Sequence, residues 1–337
     1  MLDIFNCGQG DSIRLAFEGC YWDEKVPLYI DLWPASHTRR VTEKEIDLLI
    51  THSHSDHTSG MQIPRSVSIR TLYLPAYYPE IRKIISHLSG RLPSLPSVQR
   101  KNVEILYEGV PSTNCGHIEI LNPPINPRNI FENYPQNISD VNAYLNNFGS
   151  SINEIMNDKT DLGDISLPDG YDPETFILIS VHLISLHDKG DTMKAISRFL
   201  EYDANKISLV FSYRSDYHES NKETYLLTGD ADKSVFNRLI KTKPQILKAD
   251  VLKVPHHGSK HNLNKKIVKH VSPKIAIISH GNGKFGKATD PHPNREVIKI
   301  LTNCGVATYY TNDVIKKGGT ICLGYKGKIN GTNVSII

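Results

Sequence analysis

Between Leu48 and Met61 the chain reads LLITHSHSDHTSGM, which places His52, His54, Asp56 and His57 within six positions directly after an apolar run. Imidazole and carboxylate are the nitrogen and oxygen ligands that zinc and similar divalent metals take. Alternate side chains of an extended backbone point the same way, so His52 and His54 can reach one metal. Asp56 and His57 are adjacent and open a new segment, which suits a second metal close by. Four ligands from one loop rarely complete two sites, so further ligands are expected at other strand ends. YLLTGDAD supplies Asp230, and VLKVPHHGS supplies His256 and His257. Each is an apolar run that stops in glycine plus a metal-binding residue type. His37, His87, His117, His218 and His270 share no such pattern and read as hydrogen-bonded or exposed side chains.

The elements that must position these groups are short. LDIFN, SIRLAF, VPLYID, IDLLITH, IRTLYLPAYY, NVEILYEG and HIEILNPP read as strands between turn signals. Strand texture returns in ISLVFSY, TYLLTGD, ADVLKVPHH, KIAIISHG, VATYYTN and GTICLGY. Helical patterns fall at Asp191 to Tyr202, near Ala231 to Ile240 and near Asn294 to Thr302. Two blocks of strands with helices between them predict an α/β fold of two packed sheets covered by helices. Residues 122 to 172 are rich in Asn, Pro, Asp and Ser and read as an insertion with only short helices.

The chain has 337 residues, of which 39% are hydrophobic, enough for a sizeable core. No apolar run reaches the roughly 18 residues of a membrane span, so no membrane partner is expected. No secretory signal is read at the start. The five cysteines are scattered and odd in number, which argues against a disulfide framework and for a reducing, cytoplasmic compartment. Net charge is only +3, but it is unevenly spread. Eleven lysines between Lys241 and Asp290 face only Asp250 and Asp290, while eleven acidic side chains between Glu132 and Asp191 face only Lys159 and Lys189.

HxHxDH after a strand, Gly-Asp after another and His after a third resemble the metallo-β-lactamase superfamily. The turn CGQGDSI with LLTGD and KVPHHGS resembles its ComEC-like branch more closely, as does DPHPNREV around His292. The resemblance covers both ends of the chain and is weak or lost from about residue 80 to 200. It implies an αββα sandwich over 1–337, of two mixed sheets flanked by helices, with a divergent acidic insertion over about 122–200. It also implies that Asp230 bridges two divalent cations, with His52 and His54 on the first and Asp56, His57 and one of His256 or His257 on the second. Superfamily members usually give the first metal a third histidine. His182 and His187 lie in the right interval but inside an apolar run, and the aligned position is Asn205, at best a weak ligand. Asp31 stands where an orienting carboxylate is expected behind a metal-bound histidine. Trp33 replaces a small residue at the mouth.

Two metals roughly 3.5–4 Å apart share a hydroxide whose parent water has a pKa lowered to about 7. That hydroxide is the expected nucleophile. Asp56, Asp230 and His292 are the expected catalytic residues, with His292 protonating the leaving oxygen. Zinc suits the histidines, and manganese suits a first site short of one imidazole. Lys253, Lys260, Lys265 and Lys266 bracket the second-site histidines and favour a phosphodiester of DNA, RNA or a nucleotide, with Ser259, Lys260 and His261 contacting phosphate. The same chemistry also fits a lactam, lactone or thioester hydrolase. A binding component of a multi-protein assembly, with a protein partner at the middle insertion, is the non-catalytic alternative. The acidic stretch either folds over the basic mouth or packs elsewhere.

Overall fold

Runs of three to eight residues rich in Val, Ile, Leu and Tyr, cut by Gly, Pro and Asp, are too brief to form helices and pair as strands instead. The structure, a computed structural model, describes residues 2–8, 10–15, 26–32, 41–58, 63, 66–90, 100–110, 118–131, 138–158, 165, 167–215, 223–281, 285–287, 290–313, 320–323, 329–331 and 334–336. Trp33, His37, His117 and His218 lie outside the described residues.

In chain order the described strands begin with β1 (Leu2–Phe5), β2 (Ile13–Leu15), β3 (Leu28–Ile30), β4 (Glu45–Leu49), β5 (Ser68–Pro75) and β6 (Arg100–Leu106). Next come β7 (Ile118–Asn122), β8 (Val210–Ser215), β9 (Glu223–Leu227), β10 (Val251–Lys253) and β11 (Ile275–Ile278). The last are β12 (Phe285–Lys287), β13 (Asp290–His292), β14 (Ala307–Tyr310), β15 (Thr320–Leu323), β16 (Ile329–Gly331) and β17 (Val334–Ile336). The described helices are α1 (Ser55–Thr58), α2 (Tyr78–Ser89), α3 (Ile138–Asn146), α4 (Ile152–Asn157) and α5 (Pro173–His187). They continue with α6 (Thr192–Tyr202), α7 (Lys233–Thr242), α8 (Lys265–Val271) and α9 (Arg295–Asn303).

One sheet has the order β16-β17-β15-β1-β2-β3-β4-β5-β6 and the other β14-β11-β10-β9-β8-β7. Both are mixed: β3 to β6 run parallel while β1-β2-β3 are antiparallel. In the second sheet β9, β10, β11 and β14 are parallel, and β8 is antiparallel to both of its neighbours. Alternation along each strand sorts side chains between layers. Leu28, Ile30, Leu49, Leu227, Val251 and Ile277 meet between the sheets. Their neighbours Tyr29 and Leu48 face one helical layer, and Leu226, Leu252 and Ile278 face the other. Each such buried leucine or isoleucine contributes roughly 1.5–3 kcal/mol. The result is the αββα sandwich that the sequence predicts.

Among the described residues the middle segment packs into the helical layer. Val141, Leu145, Ile155, Phe176, Ile179, Ile184, Ile196 and Phe199 join Ile46, Leu72 and Ile84 in one core against the outer face of the first sheet. The apolar run FILISVHLISLH is helix α5, started by Pro173 and capped by the Asp172 side chain on Thr175 N. His182 and His187 lie on it, away from the His/Asp clusters of the described residues. Helices α2 and α8 have no counterpart in the sequence reading. Tyr77, with φ 66°, turns the end of β5 directly into α2, and Asn264 caps α8.

Candidate metal centre

Parallel sheets present ligand sites at the carboxyl ends of their strands, and β4, β9 and β10 all end at one place. After β4, the loop carries His52 and His54, and Asp56 and His57 sit on the single turn α1, whose His57 N bonds His54 O at 3.1 Å. After β9, Gly229 adopts φ 47° and lies so close to its surroundings that a Cβ there would collide with Ser208 Oγ. Ser208 Oγ accepts the Asp230 backbone N–H at 2.9 Å. After β10, the turn Pro255–Gly258 holds His256 and His257 at φ 48° and 51°, two consecutive left-handed residues. Such backbone costs on the order of 1–3 kcal/mol per residue and persists where its surroundings enforce it.

The two oxygens of Asp230 face different partners. Oδ2 is 3.7 Å from His52 Nε2 and 3.6 Å from His256 Nε2. Oδ1 is 3.5 Å from His57 Nε2 and 3.9 Å from His257 Nε2, which also faces Asp56 Oδ2 at 3.6 Å. Potential ligand atoms of His52, His54 and Asp230 lie within 4.8 Å of one another, as do those of Asp56, His57 and His257. Of these, His52, His57, His257 and Asp230 are buried, while His54 and Asp56 are half-buried.

Hydrogen bonds on the far side of each ring fix which nitrogen is bare. His57 Nδ1 donates to Asp31 Oδ2 at 2.7 Å, and His257 Nδ1 donates to Ser279 O at 2.8 Å. Thr51 Oγ1 gives its one proton to Asp31 Oδ2 at 2.5 Å and accepts from His52 Nδ1 at 3.0 Å. His54 differs: its Nε2 donates to the Leu200 carbonyl, so Nδ1 is its free ligand atom. With the rings neutral, as a metal requires them, the contacts around Asp230 join lone pairs to lone pairs at distances too long for hydrogen bonds. His52 Nε2, His57 Nε2, His257 Nε2 and both Asp230 oxygens are buried and have no hydrogen-bond partner among the described residues. Two bonds of about 2.0–2.1 Å to a common cation put their donors about 3.4 Å apart at the tetrahedral angle and further apart as it opens. The donor groups on either side of Asp230 could each hold a metal ion.

Electrostatics follow this geometry. Although burial opposes it, the surrounding His256, His57, His257 and His52 hold Asp230 well below the usual carboxylate range. Burial also works against His57, yet Asp230, Asp31 and Asp56 hold it well above the usual histidine range. Burial pushes His256 down to about 4.

Behind the ligands lies a buried ion pair. Lys253, 1% exposed, bonds Asp11 and donates to Gly229 O at 3.3 Å. It thereby ties the CGQGD turn, the Gly-Asp turn and the His-His turn together. Lys253 is thus not a surface charge for a polyanion, which corrects the expectation drawn from the lysine cluster. A lysine flanked by apolar residues on both sides in VLKVP is the sequence signal that points to such a pairing. Lys260 is half-buried, and Lys265, Lys266 and His261 are exposed. Ser259 is buried, and its hydroxyl accepts the His261 backbone N–H at 3.2 Å. His292 is half-buried, its ring 4.7 Å from that of His256, edge to face. Asn205 is buried, its Nδ2 donating to Glu201 O at 2.9 Å. Thr51 and Asn262 are parts of the centre that sequence reasoning missed.

The fold and centre define a two-sheet αββα protein with a shared carboxylate between His/Asp clusters that can hold a metal ion. A segment of 117 residues, 34% of the chain, is 33% identical to ComE operon protein 3 of Bacillus subtilis (strain 168). That segment spans 14% of the length of that relative. No family model matches the chain. No helix among the described residues is long and apolar enough to cross a membrane.

Proposed function

We propose that the chain is a metal-dependent hydrolase of the metallo-β-lactamase superfamily, ComEC-like branch, that cleaves phosphodiesters of DNA, RNA or nucleotides. The observation that carries this reading is Asp230, whose two oxygens each face bare imidazole nitrogens within 3.9 Å. When bound, two divalent ions, zinc or manganese, supply an activated water and neutralise developing charge on phosphate. Asp230 holds the two sides in fixed register, and Asp31 and Thr51 orient His57 and His52. His292, beside His256 at the mouth, delivers a proton to the leaving oxygen. Lys260, Lys265 and Lys266 raise the local concentration of a polyanionic substrate. The likeness to ComE operon protein 3, whose branch includes a DNA-uptake protein, favours a nucleic-acid substrate over a lactam or thioester.

Hydrolysis of bis(p-nitrophenyl) phosphate, DNA and RNA, measured beside a chromogenic lactam, tests the proposal. The expected result is metal-dependent phosphodiester cleavage that Asp56→Ala and Asp230→Ala abolish. Lactam turnover without phosphodiester cleavage would overturn it, as would cleavage that survives both substitutions.

A further inference from the structure

We propose that both histidines of the Pro255–Gly258 turn are metal ligands, one for each side of Asp230, and that His256 supplies the third imidazole of the His52–His54 side. This rests on the two-cation reading above. Neighbouring side chains on regular backbone cannot usually serve two adjacent ions from one turn. Here the consecutive left-handed residues splay the rings, whose centroids lie 6.1 Å apart with planes at 75°. His257 Nε2 turns to Asp56 and to Asp230 Oδ1. His256 Nε2 turns to Asp230 Oδ2, the same oxygen that His52 Nε2 faces, at nearly the same distance, 3.6 against 3.7 Å.

Asn262 settles the protonation of His256. Its Nδ2 donates to two carbonyls, Asp230 O at 2.9 Å and Ala231 O at 3.1 Å. Its Oδ1 is therefore the atom that faces His256 Nδ1, at 3.2 Å, and an amide oxygen only accepts. Nδ1 carries the proton, and Nε2 presents a lone pair to a buried carboxylate oxygen. Two acceptors at that separation repel unless a cation lies between them. A phosphate-contacting role would require Nε2 as donor, which with Nδ1 donating to Asn262 means a charged imidazolium. Asn205, at the position aligned with the usual third histidine, donates Nδ2 to Glu201 O at 2.9 Å, and its Oδ1 is buried without a hydrogen-bond partner among the described residues, which makes it the competing donor that the test must separate from His256.

Metal content after dialysis against metal-free buffer, read by elemental analysis with circular dichroism as a fold control, tests the assignment. Wild type is expected to retain two equivalents, His256→Gln one, Asn205→Ala two and Asp230→Ala none. Asn262→Leu, which frees the ring without removing it, is expected to weaken one equivalent by about 10–100-fold. In the cobalt-substituted protein, His256→Gln should lose the visible absorption of one site and keep that of the other. Two equivalents held by His256→Gln with wild-type affinity would overturn the assignment while leaving the two-cation reading intact. Fewer than two equivalents in wild type would overturn the two-cation reading itself, and the assignment with it.

Discussion

The two sides of Asp230 are built from the same ligand types but backed differently. On the Oδ1 side, His57 leans on the buried carboxylate of Asp31, and His257 lies 4.0 Å from Asp11 of the Asp11–Lys253 pair. On the Oδ2 side every backing group is neutral: the Thr51 hydroxyl behind His52, the Leu200 carbonyl behind His54 and the Asn262 amide behind His256. An imidazole that donates to a carboxylate is the more basic ligand and the better oriented one. The Oδ1 side also has Asp56 as a direct carboxylate. If both sides bind cations as proposed, the Oδ1 side would hold its cation by charge and the Oδ2 side mainly by geometry, so the Oδ2 side should exchange first.

The harshest way to break this comparison is to remove what the sides share. Asp230→Ala should reduce phosphodiester cleavage by about a thousandfold or more, the several kcal/mol that metal ions supply, together with loss of both cations. Next in size is Lys253→Met, which leaves Asp11 buried and unpaired. It should cost about 3–5 kcal/mol in a denaturant melt, and Lys253→Met with Asp11→Leu should recover most of that. Asp31→Asn acts on the Oδ1 side and should weaken its cation by about 10–100-fold. Equal weakening of both equivalents would erase the distinction between the sides. A graded chelator titration of the wild type should then show two phases, the first from the Oδ2 side. The smallest effect is protonic. Because Asp230, Asp31 and Asp56 raise His57 above its ordinary range against the effect of burial, the metal-free centre keeps a proton there near neutral pH. Metal entry must expel it, so metal affinity should fall as pH falls, with proton release measurable in weakly buffered solution.

Much of this was legible before any coordinates. Alternation and turn residues marked the strands, and the loops that carry His52, His54, Asp56, His57, Asp230, His256 and His257 follow strand ends and come together, His256 through Asp230 Oδ2 alone. Other parts were hidden for physical reasons. Helix α5 is apolar nearly all round because it is buried within the helical layer, so no periodic stripe marks it. The division of labour between His256 and His257 depends on two left-handed residues in succession, which no residue type announces. The Asp11–Lys253 pair joins residues 242 positions apart (253 − 11), and the backing of His54 comes from Leu200, 146 positions away. Such contacts exist only once the sheets are packed.

The most direct measurement is anomalous diffraction from crystals of the protein grown with zinc or manganese. Two peaks should flank Asp230, one beside Oδ2 among His52, His54 and His256, the other beside Oδ1 among Asp56, His57 and His257. No peak within bonding distance of Asp230, or a single peak with His52 and His256 left unligated, would contradict the shared-carboxylate centre.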